Sequence, residues 1–141
     1  MSDKSGFRDL IAWQKAHELA SAVYRLCDHL PPRSAWLKDQ ILRCAISVPA
    51  NIAEGHGRGT KAELLRFIDI ARGSLSELEY YLYFLAQQGL LTKEDEQALE
   101  AKRSEAARVL FGLWRSLKSL NKNDWDHTGR VREEGPIYQL N

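Results

Sequence analysis

The chain predicts an all-α fold, an antiparallel up-and-down four-helix bundle with its second helix kinked at Pro49. Three observations carry that reading. Apolar residues return at steps of three and four through four long segments that account for nearly everything up to residue 120. Short corners rich in Pro or Gly separate those segments, which makes neighbouring helices antiparallel. No stretch shows the two-residue alternation of a strand.

The first helix is expected from about Leu10 to His29, where Trp13, Ala16, Ala20, Val23, Cys27 and Leu30 share one face, with Asp9 as its N-cap and the pair Pro31, Pro32 as its stop. The second opens after Ser34 and carries Leu37, Ile41, Ala45, Val48 and Ile52 on one stripe, widened by Leu42, Ile46 and Ala53. Pro49 in its middle loses the bond to the Ala45 carbonyl at a cost of about 3 kcal/mol. The apolar period keeps its phase across the site, so a kink is expected and a break is the fallback. The third helix starts at the capping box Thr60 and Glu63. It runs through Leu64, Phe67, Ile68, Ala71, Leu75, Leu78, Leu82 and Leu85 to a left-handed stop at Gly89. Thr92 caps the fourth, in which Leu99, Ala106, Leu110, Leu113, Leu117 and Leu120 keep a rhythm interrupted only at Arg103. A bundle domain over 1–120 is thus followed by a tail over 121–141 with turn residues, scattered charges and no period, which is extended, docked on a partner or disordered.

A chain of 141 residues fits one domain with a real core. Its 44% hydrophobic and 28% charged composition excludes the low-hydrophobicity class that stays unfolded. With 20 basic against 19 acidic residues the net charge is +1, so any nucleic-acid reading must rest on how the cations are distributed. Cys27 and Cys44 sit among apolar residues without CxxC spacing, and buried free thiols in a reducing compartment are expected. No uncharged apolar run approaches the length of about 18 that spans a bilayer. The start "MSDKSGFRDL" lacks the apolar core of a signal peptide. A cytoplasmic protein without a membrane partner is expected.

The stretch "NIAEGHGRGTKAE" sets Gly55, Gly57 and Gly59 at alternate positions ahead of a helix start, as many phosphate-gripping loops do. It fails as a Walker loop, because Gly59, Thr60 and Lys61 reverse the required order and no strand precedes them. It also fails as a dinucleotide fingerprint, because its glycines are evenly spaced and follow a helix. A helix-helix corner remains, with Arg58 and Lys61 flanking a helix N-terminus where a phosphate can rest. Along the second helix Gln40, Arg43, Ser47, Asn51, Glu54 and Arg58 form a polar stripe. General acid-base chemistry needs a partner or nucleophile that this stripe does not offer. Arg43, Ser47, Asn51 and Glu54 are therefore read as a hydrogen-bonded structural seam that satisfies the kink, a helix end or an interface. His17, His29, His56 and His127 show no metal-binding spacing, no serine sits in a nucleophile elbow, and no catalytic residue, metal or cofactor is expected.

Two patterns point to binding. Arg108, Arg115, Lys118 and Lys122 fall at steps of seven, three and four, which puts four cations on one face of the last helix. They suit phosphate contacts, and they equally complement the helix dipole and keep a surface soluble. In "LEYYLYFLA" the six residues Tyr80 to Leu85 are all apolar or aromatic, covering the helix on every side. A bundle buries one face only, so Tyr80, Tyr81, Tyr83 and Phe84 are the expected contact with another subunit or protein.

The runs "FRDLIAWQKAHELASAVY", "QILRCAISVPANIAEGHGR" and "IARGSLSELEYYL" resemble the four-helix bundle family of proteins encoded in intervening sequences of bacterial 23S ribosomal RNA genes. Ser47, Pro49, Asn51, Ile52, Ala53, Glu54 and Gly55, with Gly73, Ser74 and Glu77, carry the likeness, which extends from Phe7 to about Leu120. The resemblance implies a subunit of a homopentameric ring. Its wider family includes the accessory variability proteins of diversity-generating retroelements, thought to bind nucleic acid and a reverse transcriptase. Ala35 and Trp36 stand where the commonest form has Glu and Gly, which makes Trp36, or the tail with Trp125 and Tyr138, the partner-specific part. The expectation is a non-enzymatic, ring-forming homo-oligomer, a pentamer by resemblance, that binds RNA or DNA. Its contacts are Arg108, Arg115, Lys118 and Lys122, with Arg58 and Lys61 as a second set. The alternative is a protein-protein scaffold that docks a reverse transcriptase or another partner without touching nucleic acid.

Overall fold

The apolar stripes become four helices, α1 (Ile11–Cys27), α2 (Ala35–Arg58), α3 (Lys61–Gln87) and α4 (Lys93–Ser119), with single 3-10 turns at Phe7–Asp9 and Pro32–Ser34 ahead of α1 and α2. The computed structural model describes residues 6–120, so the expected tail at 121–141 and the cation Lys122 lie outside the described residues. Each helix packs against its neighbours in sequence, and α4 closes back onto α1. The contacts run in opposite senses along each pair: Cys44 meets Ser74 while Gly55 meets Phe67, and Arg72 meets Phe111 while Glu79 meets Arg103. Successive helices are therefore antiparallel, as short corners require.

The inward positions are those that the spacing marked. Leu19 and Val23 of α1, Ile41, Val48 and Ile52 of α2, Ile68, Leu75, Leu78, Leu82 and Leu85 of α3, and Leu110 and Leu117 of α4 are almost wholly removed from water. Cys27 and Cys44 are buried free thiols. Arg103, where the leucine rhythm of α4 breaks, is also buried. Its guanidinium donates to both oxygens of Glu100, at 2.8 and 2.6 Å, and lies 2.5 Å from the Glu79 carboxylate on α3. A charge enters the α3–α4 seam there because two carboxylates meet it.

Two helix starts differ from expectation. Asp9 does not cap α1; it belongs to the turn Phe7–Asp9, and Leu10, which has no capping side chain, precedes the helix. Burial decides this entry: Leu10 is in the core, and the Phe7 ring meets Trp13 edge-on at 5.0 Å. At α3, Thr60 Oγ1 accepts from the Glu63 amide at 3.3 Å, which is one half of the capping box. The Glu63 carboxylate turns instead to Arg66, 3.5 Å away.

α2 continues through Pro49 rather than breaking. Around the proline the side chains of the polar stripe supply extra donors. Ser47 Oγ lies 2.7 Å from the Cys44 carbonyl and 2.6 Å from Ser74 Oγ. One hydroxyl has one proton, so Ser47 donates to the carbonyl and accepts from Ser74. Asn51 Nδ2 donates to the Ser47 carbonyl at 2.6 Å, and the Cys44 thiol donates to the Ser74 carbonyl at 3.1 Å. This half-buried seam ties α2 to α3.

Candidate nucleic-acid interface

The glycine-rich stretch forms the α2–α3 corner, and its three glycines do different things. Gly55 is buried against α3: a Cβ there would stand 2.7 Å from Phe67 Cβ and 3.3 Å from Leu64 Cα, closer than atoms tolerate. Gly59 ends α2 in the left-handed region at φ 81°, where a Cβ is strained. Gly57 lies within the helix, and a Cβ there would meet nothing within 4 Å. Arg58 pairs with Glu54 at 3.0 Å and lies 5.5 Å over the Phe67 ring, so this cation is already engaged inside the chain. Lys61 is the first residue of α3 and is half-buried. Glu54 is exposed, as is Arg43, so the polar stripe divides into the inner pair Ser47 and Asn51 and an outer pair.

The cations of α4 are placed differently. Arg108, Arg115 and Lys118 are exposed on its outer face, and among the described residues none of them pairs with a carboxylate. Two aromatic rings lie between them. Phe111 and Trp114, one turn apart, stack with centroids 5.7 Å apart and planes 12° from parallel. Arg115 sits 5.9 Å from the Phe111 centroid and Lys118 5.3 Å from that of Trp114. From α3, Arg72 reaches over both rings at 5.2 Å, while also meeting Asp69 at 3.6 Å. Attraction of a cation to a ring face contributes about 0.5–1 kcal/mol at an exposed site, so the rings hold three positive charges in one place. Trp114 packs partly buried against the core, and its Nε1 is buried without an acceptor among the described residues. The charge order along α4 also suits its dipole, with Glu94, Asp95 and Glu96 in the first turn and Lys118 in the last.

Arg72, Phe111 and Trp114 were not among the residues expected from sequence. The spacing 111, 114, 115, 118 was readable as one helical face, but nothing in the sequence places Arg72 across from it.

The aromatic segment of α3 sorts into two sides. Tyr80 and Tyr83 are 59% and 58% exposed. Tyr81 and Phe84 are partly buried and pack against the chain's own core. Tyr81 donates to Glu77 at 2.7 Å, which pushes its hydroxyl pKa up to about 12. Ile70 on α3 and Ile46 on α2 are further exposed apolar residues, and so is Trp36, 67% exposed at the start of α2.

Among the surface hollows, one of about 270 Å³ lies between α1 and α4 and includes His29 in its lining, and one of about 500 Å³ lies along α2, lined by Asp39, Leu42, Arg43, Ile46 and Ser47. Among the described residues no three His, Cys, Asp or Glu side chains are placed to hold a metal ion, and no helix is long and apolar enough to cross a membrane.

Comparison with known proteins fits this architecture. Among solved structures, the chain is similar to a protein of unknown function from the S23 ribosomal protein family of Bacteroides thetaiotaomicron VPI-5482, a crystal structure at 1.70 Å resolution. The two share 25% identity and superpose with a TM-score of 0.70 over 76% of this chain and 97% of the other. No curated protein matches the chain. The family model described as 23S rRNA-intervening sequence protein matches residues 8–112, from the turn before α1 to Gly112 in α4. Since that match spans most of the four-helix bundle, the chain belongs to the 23S rRNA-intervening sequence protein family.

Proposed function

We propose that this protein is a non-enzymatic four-helix bundle that assembles into a closed homo-oligomer, a pentamer by the family resemblance, and binds RNA or DNA through the outer face of α4. The observation that carries the reading is the row Arg108, Arg115 and Lys118, exposed and unmatched by carboxylates among the described residues. Cations complementing a helix dipole need only the last turn, whereas Arg108 lies about 10 Å along the helix from Arg115. Arg58 is the weaker candidate, because Glu54 already neutralises it. Assembly is supported by Tyr80 and Tyr83, which stay 59% and 58% exposed on the outer side of α3. A head-to-tail contact that closes into a ring limits its own growth, and it repeats each basic face so that several weak contacts act together.

Binding of labelled RNA and DNA over a salt series tests this. The affinity is expected to fall linearly with salt on logarithmic axes, by roughly one unit of slope per phosphate contact. The double change Arg115→Glu and Lys118→Glu is expected to abolish binding and leave the assembly intact. A second reading, a scaffold that docks a reverse transcriptase or another protein, rests on Trp36, a large exposed aromatic away from the basic row. Absence of binding, or a flat salt response, favours that scaffold.

A further inference from the structure

We propose that the α4 face takes single-stranded nucleic acid and stacks a base on Phe111, with Arg72, Arg115 and Lys118 framing the stack. This rests on the nucleic-acid reading above and names the form of its ligand. Phosphate capture alone needs cations and no rings, yet the centre of this basic row is aromatic. Phe111 is 41% exposed although Trp114 and Arg72 already touch it. Burying that ring is worth more than exposing it, and a flat π surface ringed by positive charge is matched by an unpaired base with phosphates on either side. In a duplex the base faces are stacked on one another, so a duplex meets the cations only.

Gly112 adds an independent observation. It lies four residues after Arg108 and three before Arg115, on the same outer face, and a Cβ there would meet nothing within 4 Å. A glycine inside a helix is unfavourable by about 0.5–1 kcal/mol relative to alanine, and no packing among the described residues requires this one. Its missing side chain leaves the helix backbone open between Arg108 and Arg115, where a strand can come close. The family match ends at Gly112, so it takes in Arg72 and Phe111, while Trp114, Arg115 and Lys118 stand beyond it.

The test compares four probes by fluorescence anisotropy on the full chain. They are labelled oligouridine or oligothymidine of about 20 nucleotides, longer than one platform needs, a duplex of equal length, an abasic strand with the same phosphates, and polyglutamate as a competitor. The base-bearing strand is expected to bind about tenfold or more tightly than the duplex or the abasic strand. In Phe111→Ala and Phe111→Leu, the second keeping apolar bulk, the base-bearing strand should fall to the affinity of the abasic strand measured on the same variant, whereas Phe111→Trp should keep the difference between them. Equal affinity for duplex and single strand, or unchanged binding by both Phe111 variants, overturns the stacking proposal while the charge-based reading survives. Polyglutamate that displaces the strand at equal charge concentration overturns it as well, since charge alone then suffices. If none of the nucleic-acid probes binds, the nucleic-acid reading itself fails and the stacking proposal falls with it.

Discussion

Gly55 shows how one missing side chain sets the distance between two helices. The nearest atom to a Cβ there is Phe67 Cβ, fixed to the α3 backbone, so the helices must separate to admit a methyl group. Gly55→Ala is expected to destabilise by about 1–3 kcal/mol, the usual penalty of overpacking. Gly57→Ala, two residues away with open space around it, should stabilise by up to about 1 kcal/mol through helix propensity. Urea unfolding of the two variants checks both signs; equal effects would mean that the corner is not packed as described. Two neighbouring groups make stability depend on alkaline pH. Burial pushes the Cys44 thiol from an ordinary 9.0 up to about 12, and the bond to Glu77 raises Tyr81 from 10.0 to about 12. In both, the folded chain holds a proton that the unfolded chain releases. Their contribution is therefore full below about pH 9 and is lost as pH rises toward 12. The urea midpoint should stay level from these two groups up to about pH 9 and then fall, with Tyr81→Phe removing the tyrosine share of the decline.

At the scale of helices, the α3–α4 seam is where an apolar stripe accepts a charge. The Arg103 side chain is nearly enclosed, whereas Glu79 and Glu100 remain well exposed, so the two sides of the cluster respond differently to deletion. Arg103→Leu restores the leucine rhythm and leaves two carboxylates that can turn to water; it should cost less than about 1 kcal/mol. Replacing both Glu79 and Glu100 by Gln leaves a buried guanidinium without its counter-charges and should cost about 3 kcal/mol. Chemical denaturation of the two variants tests the asymmetry, and the reverse order would show that the ion cluster itself stabilises the seam. The α2–α3 pair is tied in another way, by the Ser47–Ser74 and Cys44–Ser74 bonds, which let polar residues flank Pro49 without leaving their hydrogen-bonding groups unmet.

For the molecule as a whole, the proposed function rests on the outer faces. The outer ridge of α3 presents Ile70, Gly73, Tyr80 and Tyr83, and a Cβ at Gly73 would meet nothing within 4 Å among the described residues. That ridge is the surface on which copies are expected to meet, while the α4 face stays available to ligand. Sedimentation at micromolar concentration should show a single closed oligomer, and changing Tyr80 and Tyr83 together to Ser should shift it to one copy with helicity retained by circular dichroism. A monodisperse single-copy species in the unaltered protein would remove the assembly from the proposal and leave each basic face to act alone.

The periodicity of leucine, isoleucine and valine was enough to determine four helices, their inward faces and their antiparallel order, because helix amphipathicity is local and short corners admit few arrangements. Thr60, Thr92 and Gly59 likewise mark helix ends through bonds and dihedrals that span only a few residues. What stands across from each face was decided by the tertiary structure. Tyr81 and Phe84 fall inside and Tyr80 and Tyr83 outside because the neighbouring helices cover one side of α3 and not the other. Arg103 is tolerated because Glu79 arrives from α3, and the Phe111 and Trp114 rings of α4 gain a further cation because Arg72 does. A sequence period states the direction in which a side chain leaves its own helix; the partner it meets depends on the register and spacing of another helix, and those are set by packing across the whole core.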